Sequence, residues 1–185
     1  MCRSTRRTAP LLGAILSATL LAGCAGTAPK PTYSTAVAVQ YRIDADDRVQ
    51  VTVSSAAAVK MEDLDRTRLG QLITSRLEER RAKNAPNDDA REVTASVLIT
   101  KYERGSAFAR AMLAGLGQIH IDATVTVSNA PGGNRIAEFT IAKTFAWGGI
   151  YGASTKMEDI EPVFADGVAA ALTGQQDAKA AAGSK

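Results

Sequence analysis

Residues 119–127 (Ile-His-Ile-Asp-Ala-Thr-Val-Thr-Val) carry an apolar side chain at every odd position and a more polar or smaller one at most even positions. Only an extended chain puts positions i, i+2 and i+4 on one face. The run therefore specifies a half-buried strand in a sheet with one solvated side, and the rest of the fold must be built around it. Residues 129–134 (Asn-Ala-Pro-Gly-Gly-Asn) supply turn chemistry, and 136–147 return as a second strand, which predicts a long antiparallel hairpin. Upstream, Val93, Ala95, Val97 and Ile99 alternate in the same way, as do Val37 and Val39, then Val49, Val51 and Val53. Asp44, Asp46 and Asp47 separate the two earliest runs, which reads as another hairpin around a turn of solvated acids.

Between these strands the period changes. Over 62–83, Leu69, Leu72, Ile73 and Leu77 share a helical face while Arg66, Glu78, Glu79, Arg80 and Arg81 occupy the remainder. This is an amphipathic helix packed on a sheet, stopped by Asn84, Pro86, Asn87 and Asp88. A last helix directs Ile160, Val163, Phe164, Val168, Ala171 and Leu172 inward. Thr155 with Glu158 fits a capping box, whereas Pro162 prefers a first turn, and Asp159 is favoured as the cap. Two strands, a helix, three strands and a helix describe the α+β class: a two-layer sandwich, with a mostly antiparallel sheet of about five strands and two helices on one face.

The N-terminus addresses location. Arg3, Arg6 and Arg7 precede an apolar run at 9–22 broken only by Pro10, Gly13, Ser17 and Thr19, which is signal-peptide architecture. The run is shorter than the roughly 20 apolar residues a spanning helix needs. Leu21, Ala22, Gly23 and Cys24 close it, and this quartet resembles the lipobox of bacterial lipoproteins. The resemblance implies cleavage between Gly23 and Cys24, a thioether-linked diacylglycerol on the Cys24 sulfur, and a further acyl chain on its freed amino group. At about 0.8 kcal/mol per buried methylene, two or more chains anchor stably where one does not. An ordinary secretory signal with a chance cysteine is the bland alternative. A twin-arginine signal fits poorly, because Ala9 and Pro10 follow the arginine pair. Residue 25 is Ala rather than the Asp that, in Gram-negative lipoproteins, favours inner-membrane retention, so the expectation is the outer membrane with the domain facing the periplasm.

Removal of residues 1–23 also removes the three arginines that account for the whole formal charge of +3. The basic character then disappears, and with it the argument for a nucleic-acid partner. Cys2 is lost with the signal and Cys24 is lipidated, so no disulfide supports the exported domain. A chain of this size buries about 70% of its unfolded surface, which suffices for one domain at 35–173. Residues 24–34 read as the lipidated cysteine with a flexible tether, and 174–185 as a disordered tail.

Gly115-Leu-Gly117, the strand to Val127, the turn with Pro131-Gly-Gly, Phe139, the Gly148-Gly-Ile-Tyr-Gly152 segment and the closing alanine-rich helix together resemble small Gram-negative envelope lipoproteins classed as a domain of unknown function. The resemblance covers about residues 35–173 and implies no activity.

Catalytic signals are sparse. The sole histidine, His120, points away from the core together with Asp122 and Thr124, and a solvated strand face accounts for it better than half of a catalytic pair. One histidine and no free thiol leave only carboxylates for a metal. The 44–47 acids lack the glycine and distal glutamate of a calcium loop. Neither glycine cluster has the spacing of a P-loop or dinucleotide motif. The expectation is a non-enzymatic binding or envelope-assembly module without a cofactor beyond its acyl chains, partnered by the membrane and by an envelope protein or lipid. A periplasmic enzyme and a lipid-binding transport accessory are the alternatives. Two groups of residues are candidates for contact. Residues 107–117 are unusually apolar for a connection, and Phe108, Met112, Leu113 and Leu116 would face a partner or membrane, with Arg110 pointing elsewhere. Trp147 and Tyr151 flank two glycines and are candidates for stacking on a ligand, although such aromatics more often cap a core.

Overall fold

The computed structural model describes residues 28–35, 42–86, 90–113, 115–130 and 132–175. Residues 1–23, read as a signal peptide, Cys24 and the Val37/Val39 run lie outside the described residues. A five-stranded sheet has the spatial order β1-β5-β4-β3-β2, with β1 at Pro31–Thr35, β2 at Arg48–Ser55, β3 at Glu92–Glu103, β4 at Ile119–Ala130 and β5 at Arg135–Phe145. Two long helices, α1 (Asp63–Arg81) and α4 (Met157–Thr173), cover one face, and two short ones, α2 (Ala107–Met112) and α3 (Gly149–Ser154), close one end. The class is α+β with a mixed, mostly antiparallel sheet, as the alternation of periods implies. No helix among the described residues is long and apolar enough to cross a membrane.

The core follows the sequence pattern closely. Odd positions of β4 from Ile119 to Val127 are buried under the helices, where they meet Leu69, Ile73 and Leu77 of α1 and Ile160, Phe164, Val168 and Leu172 of α4. Each fully buried side chain of this size contributes about 1.5–3 kcal/mol. The hairpin expected at 119–147 is β4–β5, antiparallel with Val125 opposite Phe139. A bulge between Ile99 and Lys101 shifts the phase of β3, so that Tyr102, rather than Lys101, turns toward the helices.

Four expectations need correction. First, among the described residues β2 has no upstream partner, the Val37/Val39 run lying outside them: it pairs parallel with β3, Val49 opposite Val93, and α1 is the crossover that a parallel pair requires. Second, the sheet begins inside the segment read as tether. Tyr33 stacks on Phe139 at 5.5 Å, and Pro31 opens an edge strand, where a missing N–H is tolerated. Third, the segment read as a tail is ordered at its start: Gly174 ends α4 at φ +69°, and the Gln175 amide donates to Arg80 O at 2.9 Å. Fourth, α4 starts before the expected cap. Asp159 sits in its first turn and accepts from the Lys156 N–H at 2.8 Å, which places Pro162 one turn deeper than its usual position.

The acidic turn is also not simply solvated. Asp47 is buried and accepts from Arg91 Nη2 at 2.5 Å and from the Arg91 N–H at 3.1 Å. Burial alone would raise the Asp47 carboxyl, but the bonds from Arg91 and from the Asp44 N–H outweigh it and hold it below the usual range.

Candidate functional site

The end of the sheet where β3 finishes, β4 begins and β5 finishes is closed by two short connections. After β3 the chain turns at Gly105, enters α2 and returns through Gly115 and Gly117. A Cβ on Gly105 would meet the carbonyl oxygens of Gly117 and Gln118 at 2.2 Å, and its φ of +61° also favours glycine. Ser106 caps α2, accepting from the Ala109 N–H at 3.3 Å. After β5 the chain passes Trp147 into α3, and the Gly115 N–H donates to Ala146 O at 3.0 Å, tying the two connections together.

Arg110 holds this end in place. It is buried, and its guanidinium donates through Nε to Gly152 O at 2.7 Å, through Nη2 to Thr155 O at 2.9 Å, and through Nη1 to Gly117 O at 2.5 Å and Arg104 O at 3.2 Å. All four acceptors are backbone carbonyls. Gly152 and Thr155 belong to the C-terminal end of α3, where unsatisfied carbonyls favour a cation. One side chain thus joins α2, α3 and both strand ends, and the planar fork suits that task where an ammonium does not.

With Arg110 turned inward, the apolar side chains of α2 face out. Phe108 is 73% exposed and Ile150 on α3 is 91% exposed; Met112, Leu113, Leu116, Trp147 and Tyr151 are each at least half exposed. Tyr151 meets the buried Phe145 edge-on at 5.9 Å and Trp147 at 6.2 Å. The four contact residues expected from sequence and the aromatic pair thus lie on α2, α3 and the connections next to them at one end of the molecule. Sequence reading missed Ile150, the most exposed of them. Its only signal is an apolar residue inside Gly148-Gly-Ile-Tyr-Gly152. Neither 105–118 nor 145–156 contains an acidic residue.

Beneath this platform lies a charged network joining α1, β3 and α4. Arg68 donates to the fully buried Glu161 at 2.6 and 3.0 Å and to Asp65 at 2.7 Å. Arg104 bridges Asp65 at 2.9 Å and Glu158 at 2.7 Å, and the Tyr102 hydroxyl donates to Glu161 at 2.7 Å. Burial would raise Asp65, but Arg104 and Arg68 hold it low. The Glu158 carboxylate is lowered first by its own backbone N–H at the start of α4 and then by Arg104. Burial and the bond to Glu161 push the Tyr102 phenol up. These carboxylates are committed to guanidinium partners, so the network locks the helices to the sheet end that carries the platform.

The other candidates are dispersed. His120 lies half-buried on the helix-free face, its Nδ1 3.1 Å from Thr144 Oγ1 rather than paired with Asp122. Among the described residues no group of three or more His, Cys, Asp or Glu could hold a metal ion. A groove of 760 Å³ runs between β2 and α1, lined by Val51, Val53 and Gly70 with Asp63, Arg66, Thr67, Gln71, Thr74 and Ser75; it is open, and its one cation, Arg66, is bonded to Ser55, Met61 O and Asp63.

A family model described as a domain of unknown function (DUF4410) matches residues 38–149. The chain belongs to that family. The matched stretch of the DUF4410 domain runs from before β2 to the start of α3, so it includes α2 and Trp147, while α4 lies beyond it. No curated protein matches the chain. Among solved structures, the DUF4410 domain is similar to the PelC dodecamer of Paraburkholderia phytofirmans, with 14% identity, 78% of this chain and 97% of that chain covered, and TM-scores of 0.54 for a point variant and 0.51 for a second crystal form. At that identity the likeness concerns the fold.

Proposed function

We propose that this DUF4410 protein is a lipoprotein of the bacterial envelope, anchored through acyl chains on Cys24 in the outer membrane with its domain in the periplasm, and that the domain works by binding rather than by catalysis. The observation that carries the binding part is the α2–α3 platform: seven large apolar side chains on two packed helices and the connections next to them, presented outward by a buried arginine. Monomeric proteins rarely expose contiguous apolar surface of this kind without a contact to make. The commitment of Asp47, Asp65 and Glu158 to guanidinium partners supports the same reading, since a general base needs a carboxylate available to substrate. The similar PelC fold occurs as a dodecamer, and assembly with further copies is part of the module we propose.

The test compares variants in cells lacking the native gene. Leu113→Glu should reproduce the envelope defect of the deletion, whereas His120→Ala and Asp122→Asn should restore wild-type behaviour. Loss of function in His120→Ala with an unchanged fold would point to the enzyme alternative.

A further inference from the structure

We propose that the α2–α3 platform rests on the lipid bilayer itself, so that the domain lies end-on against the membrane that holds its acyl chains. This rests on the lipid-anchor reading above and names the platform's partner. Three observations carry it.

The first is reach. Pro29 lies against α4, where a Cβ on Gly167 would meet it at 2.6 Å. Only four residues lie between Cys24 and Pro29, and the five steps span at most about 18 Å, whereas the 17 residues of α4 alone extend about 25 Å. The anchor therefore holds part of the domain against the lipid instead of letting it stand clear. Gly167 lies ten residues, about 15 Å, from the platform-side start of α4, within that span, and the described part of the chain, traced backward, runs along β5 toward Phe145, pairing Thr35 with Glu138 and Pro31 with Ile141.

The second is composition. Trp147 and Tyr151 have the amphipathic rings that settle at headgroup level, and Phe108, Met112, Leu113 and Ile150 supply the apolar depth. The absence of acids from 105–118 and 145–156, with Lys156 at the margin, suits a surface of phosphate headgroups.

The third is effective concentration. A short linker keeps the second contact at millimolar levels, so a platform with modest interfacial affinity stays engaged once Cys24 is inserted.

Trp147 is the only tryptophan in the chain, which makes the test direct. The full-length acylated protein is reconstituted in phosphatidylethanolamine–phosphatidylglycerol vesicles whose chains are brominated near the headgroup or near the methyl end. The proposal expects a blue-shifted Trp147 emission that loses most of its intensity to the shallow bromines and less to the deep ones. Ile150→Glu, at a position too exposed to disturb the core, should reverse most of that loss. Emission indifferent to bromine, with acyl chains on Cys24 confirmed by mass spectrometry, overturns the platform proposal and leaves the anchor standing. A blue shift without quenching also overturns it, because the platform is then covered by protein, such as a second copy. A Cys24 peptide without acyl chains overturns the anchor reading and the proposal with it.

Discussion

Arg110 is the residue on which the candidate surface depends. A guanidinium removed from water is costly unless its donors are satisfied, and here four carbonyls from 104, 117, 152 and 155 satisfy them. Replacing it by alanine leaves those acceptors in a space too confined for full hydration. The expected cost is on the order of 3 kcal/mol, read by chemical denaturation, with Arg110→Lys recovering only part because it lacks the fork. Sequence could say only that Arg110 points away from Phe108, Met112 and Leu113. Its acceptors come from three separate segments, and no local pattern announces them. The same holds for Asp47, which reads as a solvated turn acid until β3 brings Arg91 beside it from 44 residues away. His120, by contrast, was legible from strand parity alone. His120→Ala should shift stability by less than about 0.5 kcal/mol, as measured by thermal melting.

Among the elements, α2 shows how far periodicity carries. An apolar connection of eleven residues between strands either covers the sheet or offers a surface, and the sequence alone does not separate the two. The fold decides it, because α1 and α4 already cover the apolar face of the sheet and α2 lies at its end. Leu113→Glu should therefore leave the stability of the domain within about 0.5 kcal/mol of the parent. Ile73→Ala, on the buried face of α1, should cost about 2–5 kcal/mol. Equal losses in the two variants would place Leu113 in the core. Strands β2 to β5 and the long helices were legible because their periods are clean over eight or more residues, whereas the five residues of β1 were too few to stand out from a tether. The partner of β2 was not, since a strand of alternating valines fits a hairpin and a parallel crossover equally well, and the choice depends on where α1 packs.

At the scale of the whole molecule, ion pairs fasten both ends: Arg91–Asp47 ties the turn before β2 to the start of β3, and Arg68–Asp65–Arg104–Glu158 joins α1 and α4 to the end of β3. Their carboxylates are held below their ordinary values of 3.8 for aspartate and 4.5 for glutamate. Lowered folded-state values contribute stability that is fully present above the unfolded value and is lost as pH falls through the folded one. Stability should thus be level from neutral pH to about pH 5 and decline below pH 4. Asp47→Asn should flatten part of that acid limb while lowering stability at pH 7 by about 1.5–3 kcal/mol. The anchor we propose is read from four consecutive residues, Leu21-Ala-Gly-Cys24, rather than from tertiary contacts. It is also the premise of the whole account. The direct measurement is metabolic labelling with a radioactive or clickable palmitate, followed by envelope fractionation of cells making the wild type or Cys24→Ser. The account predicts label on the wild-type protein in the outer-membrane fraction and none on Cys24→Ser; label retained by that variant, or absent from the wild type, would contradict it.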